Sequence, residues 1–222
     1  MREQDGGEMV DVERIEAVLA TIPQEQYTDG YVDPTGKEGF RNPVREVVGR
    51  GLTILTQRLG IKSVTELGTA LGSSGLRFAL GGVTELDTVE FDPEASNIAQ
   101  GNFEKAGLDG FKVHNKDSGV FVAEYSKVIE ALFIDHAKPR YLGDLQGLEH
   151  LLTSKAVVLL DNTFNRQPET KDAAAYVADN YFSGIFTEPS TGGETTGLMV
   201  ASKDREVFDI AWTALMDVRG DA

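Results

Sequence analysis

The chain has no cysteine, which excludes disulfides, thiolate metal sites and cysteine nucleophiles and suits a cytoplasmic protein. Positive charge is scarce, with 21 Lys and Arg against 36 Asp and Glu, a net charge of −15. Nucleic-acid backbones select basic surfaces, so neither DNA nor RNA is an expected partner. The acids are scattered rather than gathered into a tail, which reads as solubility or salt adaptation. No run of about 18 apolar residues occurs, so no membrane-spanning helix is expected. The N-terminal Arg2-Glu3-Gln4-Asp5 lacks the basic, apolar, small-residue order of a secretory signal. Histidine is limited to His114, His136 and His150, too few for a histidine-rich transition-metal site.

What remains is a chain of 222 residues, 41% hydrophobic, enough for one α/β domain with a sizeable core. Helix and strand patterns alternate along it. Apolar spacing at Val12, Ile15, Val18 and Leu19 predicts a short helix over 11–20. Residues 26–36 form a Gly-, Pro- and Asp-rich loop carrying Tyr27 and Tyr31, suited to covering a ligand. A helix is expected over 42–59, with Asn42 as cap and Pro43 in the first turn. Strands are then expected at 63–67, 86–91, 111–114, 131–134, 156–160, 182–187 and 197–202. The intervening helices fall at 73–80, 93–106, 120–127, 139–152 and 169–177, with a closing helix at 204–216. This alternation implies a mostly parallel sheet with helices on both faces. Only nine residues, 188–196, separate the last two strands, too few for a crossover helix, so the last strand runs antiparallel.

Ligands of such sheets bind outside the carboxyl ends of the strands, and polar signals collect there. Phe133-Ile134-Asp135-His136-Ala137-Lys138 and Leu159-Leu160-Asp161-Asn162 are apolar strands that end in oxygen donors. Asp135, Asp161 and Asn162 are hard donors of the kind Mg²⁺ prefers, and Lys138 lies one helical turn past Asp135. A hard cation beside an amine suits ionising a hydroxyl group, which points to transfer chemistry at oxygen. Each residue also has a plainer reading: a strand-end acid, a turn pair and a surface lysine.

Glu66-Leu67-Gly68-Thr69-Ala70-Leu71-Gly72-Ser73 has Gly-x-x-x-Gly spacing, unlike either the dinucleotide or the Walker pattern, and glycine there permits a tight turn or close approach to a ligand. Glu90 stands 22 residues after Gly68, close to the interval at which a strand-end acid meets a ribose diol. Asp117 and Ser118 can read an adenine edge or cap the next helix. His136 can stack on a base, bind a metal or be structural.

These residues together resemble S-adenosylmethionine-dependent O-methyltransferases of the metal-dependent catechol O-methyltransferase type, over about residues 42–202. Glu66-Leu67-Gly68 with Gly72 is similar to the family's cofactor glycine motif, and Val89-Glu90-Phe91-Asp92-Pro93 to its ribose-binding segment. Asp135-His136-Ala137-Lys138 with Arg140-Tyr141-Leu142, and Asp161-Asn162, are similar to its catalytic run and second metal pair.

The resemblance implies a Rossmann-like class I methyltransferase with a seven-stranded sheet whose last strand is antiparallel. It implies that residues 41–222 form the methyltransferase domain and 1–40 an N-terminal helix and acceptor-site lid. It places Glu66, Gly68, Gly72, Ser73, Glu90, Phe91, Asp117, Ser118, Asp135 and His136 on S-adenosylmethionine. Asp135, Asp161 and Asn162 then hold Mg²⁺, with Lys138 as general base. The expected acceptor is a small molecule with vicinal oxygens. A tRNA hydroxyl and a catalytically silent cofactor-binding protein are the alternatives. Ala137 replaces the family's tryptophan, and neither Glu188 nor Glu194 has the spacing before Gly197 of its acceptor-side acid. A homodimer through Trp212 and the N-terminal helix is compatible with the sequence.

Overall fold

The computed structural model describes residues 11–23, 43–164, 168–189 and 195–219. Strands β1 (Ser63–Leu67), β2 (Glu85–Glu90), β3 (Phe111–Asn115), β4 (Ile129–Ile134), β5 (Leu152–Leu160), β6 (Phe182–Pro189) and β7 (Thr195–Ser202) form one sheet in the order β3-β2-β1-β4-β5-β7-β6. All pairs are parallel except those of β7, which runs antiparallel to both β5 and β6, as expected. The strand order reverses between β1 and β4, and an open α/β sheet offers its ligand crevice at such a point.

Helices α1 (Val12–Leu19), α2 (Glu46–Leu59), α3 (Ser73–Leu80), α4 (Pro93–Ala106), α5 (Ser118–Glu124), α6 (Tyr141–Leu148), α7 (Lys171–Asn180) and α8 (Arg205–Arg219) cover the two faces. Residues 131–134 are all buried because both faces are covered. Ala131 and Phe133 join the layer beneath α1, α2, α3 and α8, whereas Leu132 and Ile134 join the layer beneath α5, α6 and α7. Ile15, Val18 and Leu19 of α1 are spent inside this chain, and Trp212 packs against Gly184 and Phe208.

Helix boundaries differ from expectation where side chains decide them. The second helix starts at Glu46, so Pro43 precedes its first turn; Arg45 is the N-cap and makes no side-chain cap bond. Asn42 and the 26–36 loop with Tyr27 and Tyr31 lie outside the described residues. The Asp117 carboxylate accepts from Gly119 N at 2.9 Å and Val120 N at 3.4 Å, which starts α5 two residues before the expected Val120. The helix expected over 139–152 is a 3₁₀ turn (Lys138–Arg140), then α6, then a second 3₁₀ turn (Glu149–Leu151). Among the described residues no helix is long and apolar enough to cross a membrane.

Candidate active site

The site is built from one rung of the sheet. Register pairs Val89 with Leu67, Leu67 with Ile134, and Ile134 with Leu160. The next residues, Glu90, Gly68, Asp135 and Asp161, therefore leave four adjacent strands at one level. Backbone bonds carry the ladder into this rung: Gly68 N donates to Val89 O at 3.0 Å, Asp135 N to Leu67 O at 2.8 Å and Asp161 N to Ile134 O at 3.1 Å.

Gly68 has φ +99°, and a Cβ there would lie 2.2 Å from the carbonyl oxygen of Asp135. Only glycine fits, because the Asp135 main chain fills the space a side chain would need. Gly72, at φ +88°, serves packing, because a Cβ would meet the Phe103 ring at 2.9 Å. Glu90 holds the loop from the neighbouring strand: its Oε2 accepts from Ala70 N and its Oε1 from Asp92 N, both at 2.9 Å. Burial pushes the Glu90 carboxyl up, against these hydrogen bonds. The Phe91 N–H also serves this carboxylate, so three main-chain donors hold it in place. Phe91 beside it is exposed.

Glu66 and Ser73 turn inward. Glu66 is fully buried; its Oε2 accepts from Thr69 Oγ1 at 2.7 Å and Thr88 Oγ1 at 2.6 Å, and its Oε1 from Ser74 Oγ. Burial raises its carboxyl to about 7 despite these donors. Ser73 Oγ accepts from Val44 N at 3.1 Å, which ties the segment before α2 to the glycine loop. The side chains of both residues thus shape the loop from beneath.

A second group lines the adjoining edge. Asp117 pairs with Arg140 at 2.7 Å, and Ser118 Oγ donates to Asp144 Oδ2 at 3.0 Å. His136 Nε2 lies 2.9 Å from Asp144 Oδ2, off the line of a good hydrogen bond, and Nδ1 is 3.1 Å from Ala137 O. Asp144 was not singled out from the sequence. Its place one turn past Arg140 on a helix facing His136 becomes informative only once α5 and α6 are known to pack together.

The third group is the most polarised. Lys138 Nζ lies 2.7 Å from Asp135 Oδ1 and 2.8 Å from Tyr141 Oη, with its side chain only 14% exposed. Asp161 is buried, and burial followed by the charge of Asp135 pushes its carboxyl up, whereas Lys138 opposes this. Asn162 has φ +56°, a left-handed turn that asparagine tolerates. Thr163 N donates to Gly197 O at 2.9 Å and pins that turn to β7. The structure thus gathers Asp135, Lys138, Asp161 and Asn162 at two neighbouring strand ends. Among the described residues no cluster of three or more His, Cys, Asp or Glu could hold a metal, so any ion here depends on two carboxylates and an amide. That all-oxygen set, with two like charges in proximity, fits a hard divalent cation. Ala137 is exposed and offers no wall of its own.

No family model matches the chain. It is 30% identical over 121 residues to a catechol O-methyltransferase of Niastella koreensis, covering 51% of this chain and 55% of that protein. It is 36% identical over 126 residues to the catechol O-methyltransferase of Bos taurus, covering 52% of this chain and 45% of that one. The chain thus spans about half the length of the curated relatives it matches. Among solved structures, an O-methyltransferase from Bacillus cereus in complex with S-adenosylhomocysteine superposes with a TM-score of 0.64 at 19% identity, over 90% of this chain and 93% of that one. An O-methyltransferase from Streptomyces achromogenes in complex with S-adenosylmethionine gives 0.62 at 18%, over 72% and 81%. The fold is that of class I methyltransferases, and the similarity read from the motifs is borne out in sequence by the catechol O-methyltransferases.

Proposed function

We propose that this protein is an S-adenosylmethionine-dependent O-methyltransferase that needs a divalent cation, Mg²⁺ by preference, and methylates a small molecule with vicinal oxygens. The observation that carries the reading is Lys138 held 2.7 Å from Asp135, beside the buried Asp161, on the rung that also ends in Gly68 and Glu90. A proton acceptor, a cation-binding set and a cofactor cradle thereby share one edge of the sheet. The similarity to catechol O-methyltransferases supports the same reaction class. The net charge of −15 favours a small acceptor over RNA.

When bound, the cofactor supplies an electrophilic sulfonium methyl group and the cation supplies the Lewis acidity that lowers a hydroxyl pKa. Asp135, Asp161 and Asn162 would hold the cation. Glu90 would take the ribose hydroxyls, Gly68 would line the cofactor with bare backbone, and Ser118 and His136 would flank the adenine. Lys138, as the neutral amine, accepts the proton that the acceptor hydroxyl loses, and Asp135 stabilises the ammonium so formed. Positioning of acceptor and cofactor in line supplies much of the remaining rate.

The test is methyl transfer from labelled S-adenosylmethionine to a panel of catechols and other vicinal diols, with Mg²⁺ and with EDTA. Turnover that EDTA abolishes is the expected result. Turnover unaffected by EDTA would remove the cation from the reading, and failure to bind the cofactor would remove the reaction class.

A further inference from the structure

Tyr141 sits under the proposed base, and a packing role does not account for its hydroxyl group. The residue is fully buried. Its Oη donates to the main-chain oxygen of Asp161 at 3.2 Å and accepts from Lys138 Nζ at 2.8 Å. A phenol has one proton, so with that proton on the Asp161 carbonyl its lone pairs are left for the ammonium. The ring is engaged as well. Lys138 Nζ lies 5.0 Å from its centroid, and the His136 ring meets it edge-on at 5.4 Å and 88°. One side chain thus touches Lys138, the Asp161 turn and His136. Phenylalanine would fill the same volume without a buried hydroxyl that needs two partners.

We propose that Tyr141 is a positioning residue: its hydroxyl fixes the Lys138 amine at one point between Asp135 and the Asp161–Asn162 turn. Without it, among the described residues, a four-carbon side chain with three rotatable donors keeps only Asp135 as a hydrogen-bonding partner and swings about it. The catalytic consequence rests on the O-methyl-transfer reading above, whereas the geometric claim stands without it.

The test uses the full chain with Tyr141→Phe, alone and combined with Lys138→Ala. In the cofactor-free protein, ¹³C relaxation of the Lys138 ε-methylene reads how firmly the amine is held. Greater mobility in Tyr141→Phe is expected, and an unchanged side chain overturns the proposal whatever the reaction is. In turnover assays, kcat is expected to fall about 10- to 100-fold, the scale of a misplaced group and at or below that of a lost base. The acceptor KM and the Kd for S-adenosylhomocysteine should stay within about twofold. In the Lys138→Ala background the same substitution should cost nothing further, because two groups acting through one bond are not additive. An equal loss in both backgrounds identifies a merely structural role and overturns the proposal. If Tyr141→Phe does not fold, 3,5-difluorotyrosine at 141 keeps the shape and weakens the acceptor; a smaller change of the same sign is expected, and no change overturns the assignment. Absence of turnover in the unmodified protein counts against the proposed reaction, and the relaxation result still decides the positioning.

Discussion

Two clusters in this protein use the same residue types at opposite ends of the sheet. At the carboxyl ends of β4 and β5, Lys138 sits on Asp135 and 5.0 Å over the Tyr141 ring. At the other end, Lys203 sits 2.9 Å from Glu149 and 5.0 Å over the Tyr181 ring. The difference lies in what the carboxylates receive. Glu149 accepts from Tyr176 Oη at 2.5 Å and Tyr181 Oη at 2.7 Å as well as from Lys203. Burial alone would raise its pKa, but these partners hold it down at about 2. At the candidate site the tyrosine hydroxyl donates to a main-chain oxygen instead, and a second carboxylate, Asp161, is buried next to the first. The Glu149 cluster is electrostatically satisfied and ties loops together. The candidate site sets two carboxylates against one lysine, and burial with the charge of Asp135 pushes the Asp161 carboxyl up. Residue types alone do not make a site; the count of donors against acceptors does.

The sharpest way to break this contrast is to remove the excess charge. Asp161→Ala is expected to abolish methyl transfer while cofactor binding, followed by calorimetry, survives; near-normal turnover would sink the cation assignment. Lys138→Ala is expected to lower kcat by about 10²- to 10⁴-fold, the usual worth of a general base. Full activity of that variant at neutral pH would remove Lys138 from the mechanism. At the other cluster, Glu149→Gln should leave kcat unchanged and change stability with a pH signature. A carboxylate held at about 2 when folded contributes stability that is present above its ordinary value near 4.5 and lost as pH falls through about 2. Thermal melts of the variant should therefore lose part of the wild-type decline between about pH 5 and 2.

Glu66 gives the opposite sign. Its folded value of about 7 exceeds the ordinary 4.5, so its contribution is complete below about 4.5 and is lost as pH rises through about 7. Glu66→Gln should flatten the fall in melting temperature between about pH 5 and 8; a slope equal to wild type would show that the carboxyl ionises freely. The smallest effect is expected from Lys203→Ala, within about 1 kcal/mol because the lysine is half exposed, its side chain at 51%.

The strand ends were legible in the sequence because burial on both faces leaves a continuous apolar run, and Phe133-Ile134 and Leu159-Leu160 each stop abruptly at an aspartate. The cofactor loop was legible for a similar reason, since Gly68 and Gly72 interrupt a strand-to-helix pattern. Sequence spacing carries no register, however. It could place Glu90, Gly68, Asp135 and Asp161 on one edge but not on one rung. It also marked Tyr141 as part of a motif without revealing which atoms its hydroxyl would meet, because Lys138 and the Asp161 carbonyl approach it from different elements. Asp144 and the Glu149 cluster escaped notice on the same ground, as their partners come from helices and strands far apart in the chain. Helix starts shifted where a side chain such as Asp117 capped earlier than the apolar pattern began.

The position of β7 has a consequence for synthesis. Among the described residues it is the last strand in sequence, yet it lies between β5 and β6 and pairs Leu160 with Met199 and Leu159 with Val200. A ribosome therefore releases β5 and β6 before the strand that joins them exists. Until residues 195–202 emerge, the apolar end of β5 has one open edge, the kind that recruits other chains. The turn carrying Asp161 and Asn162, pinned through Thr163 to Gly197, cannot be completed earlier. A chain truncated just upstream of that strand is expected to aggregate.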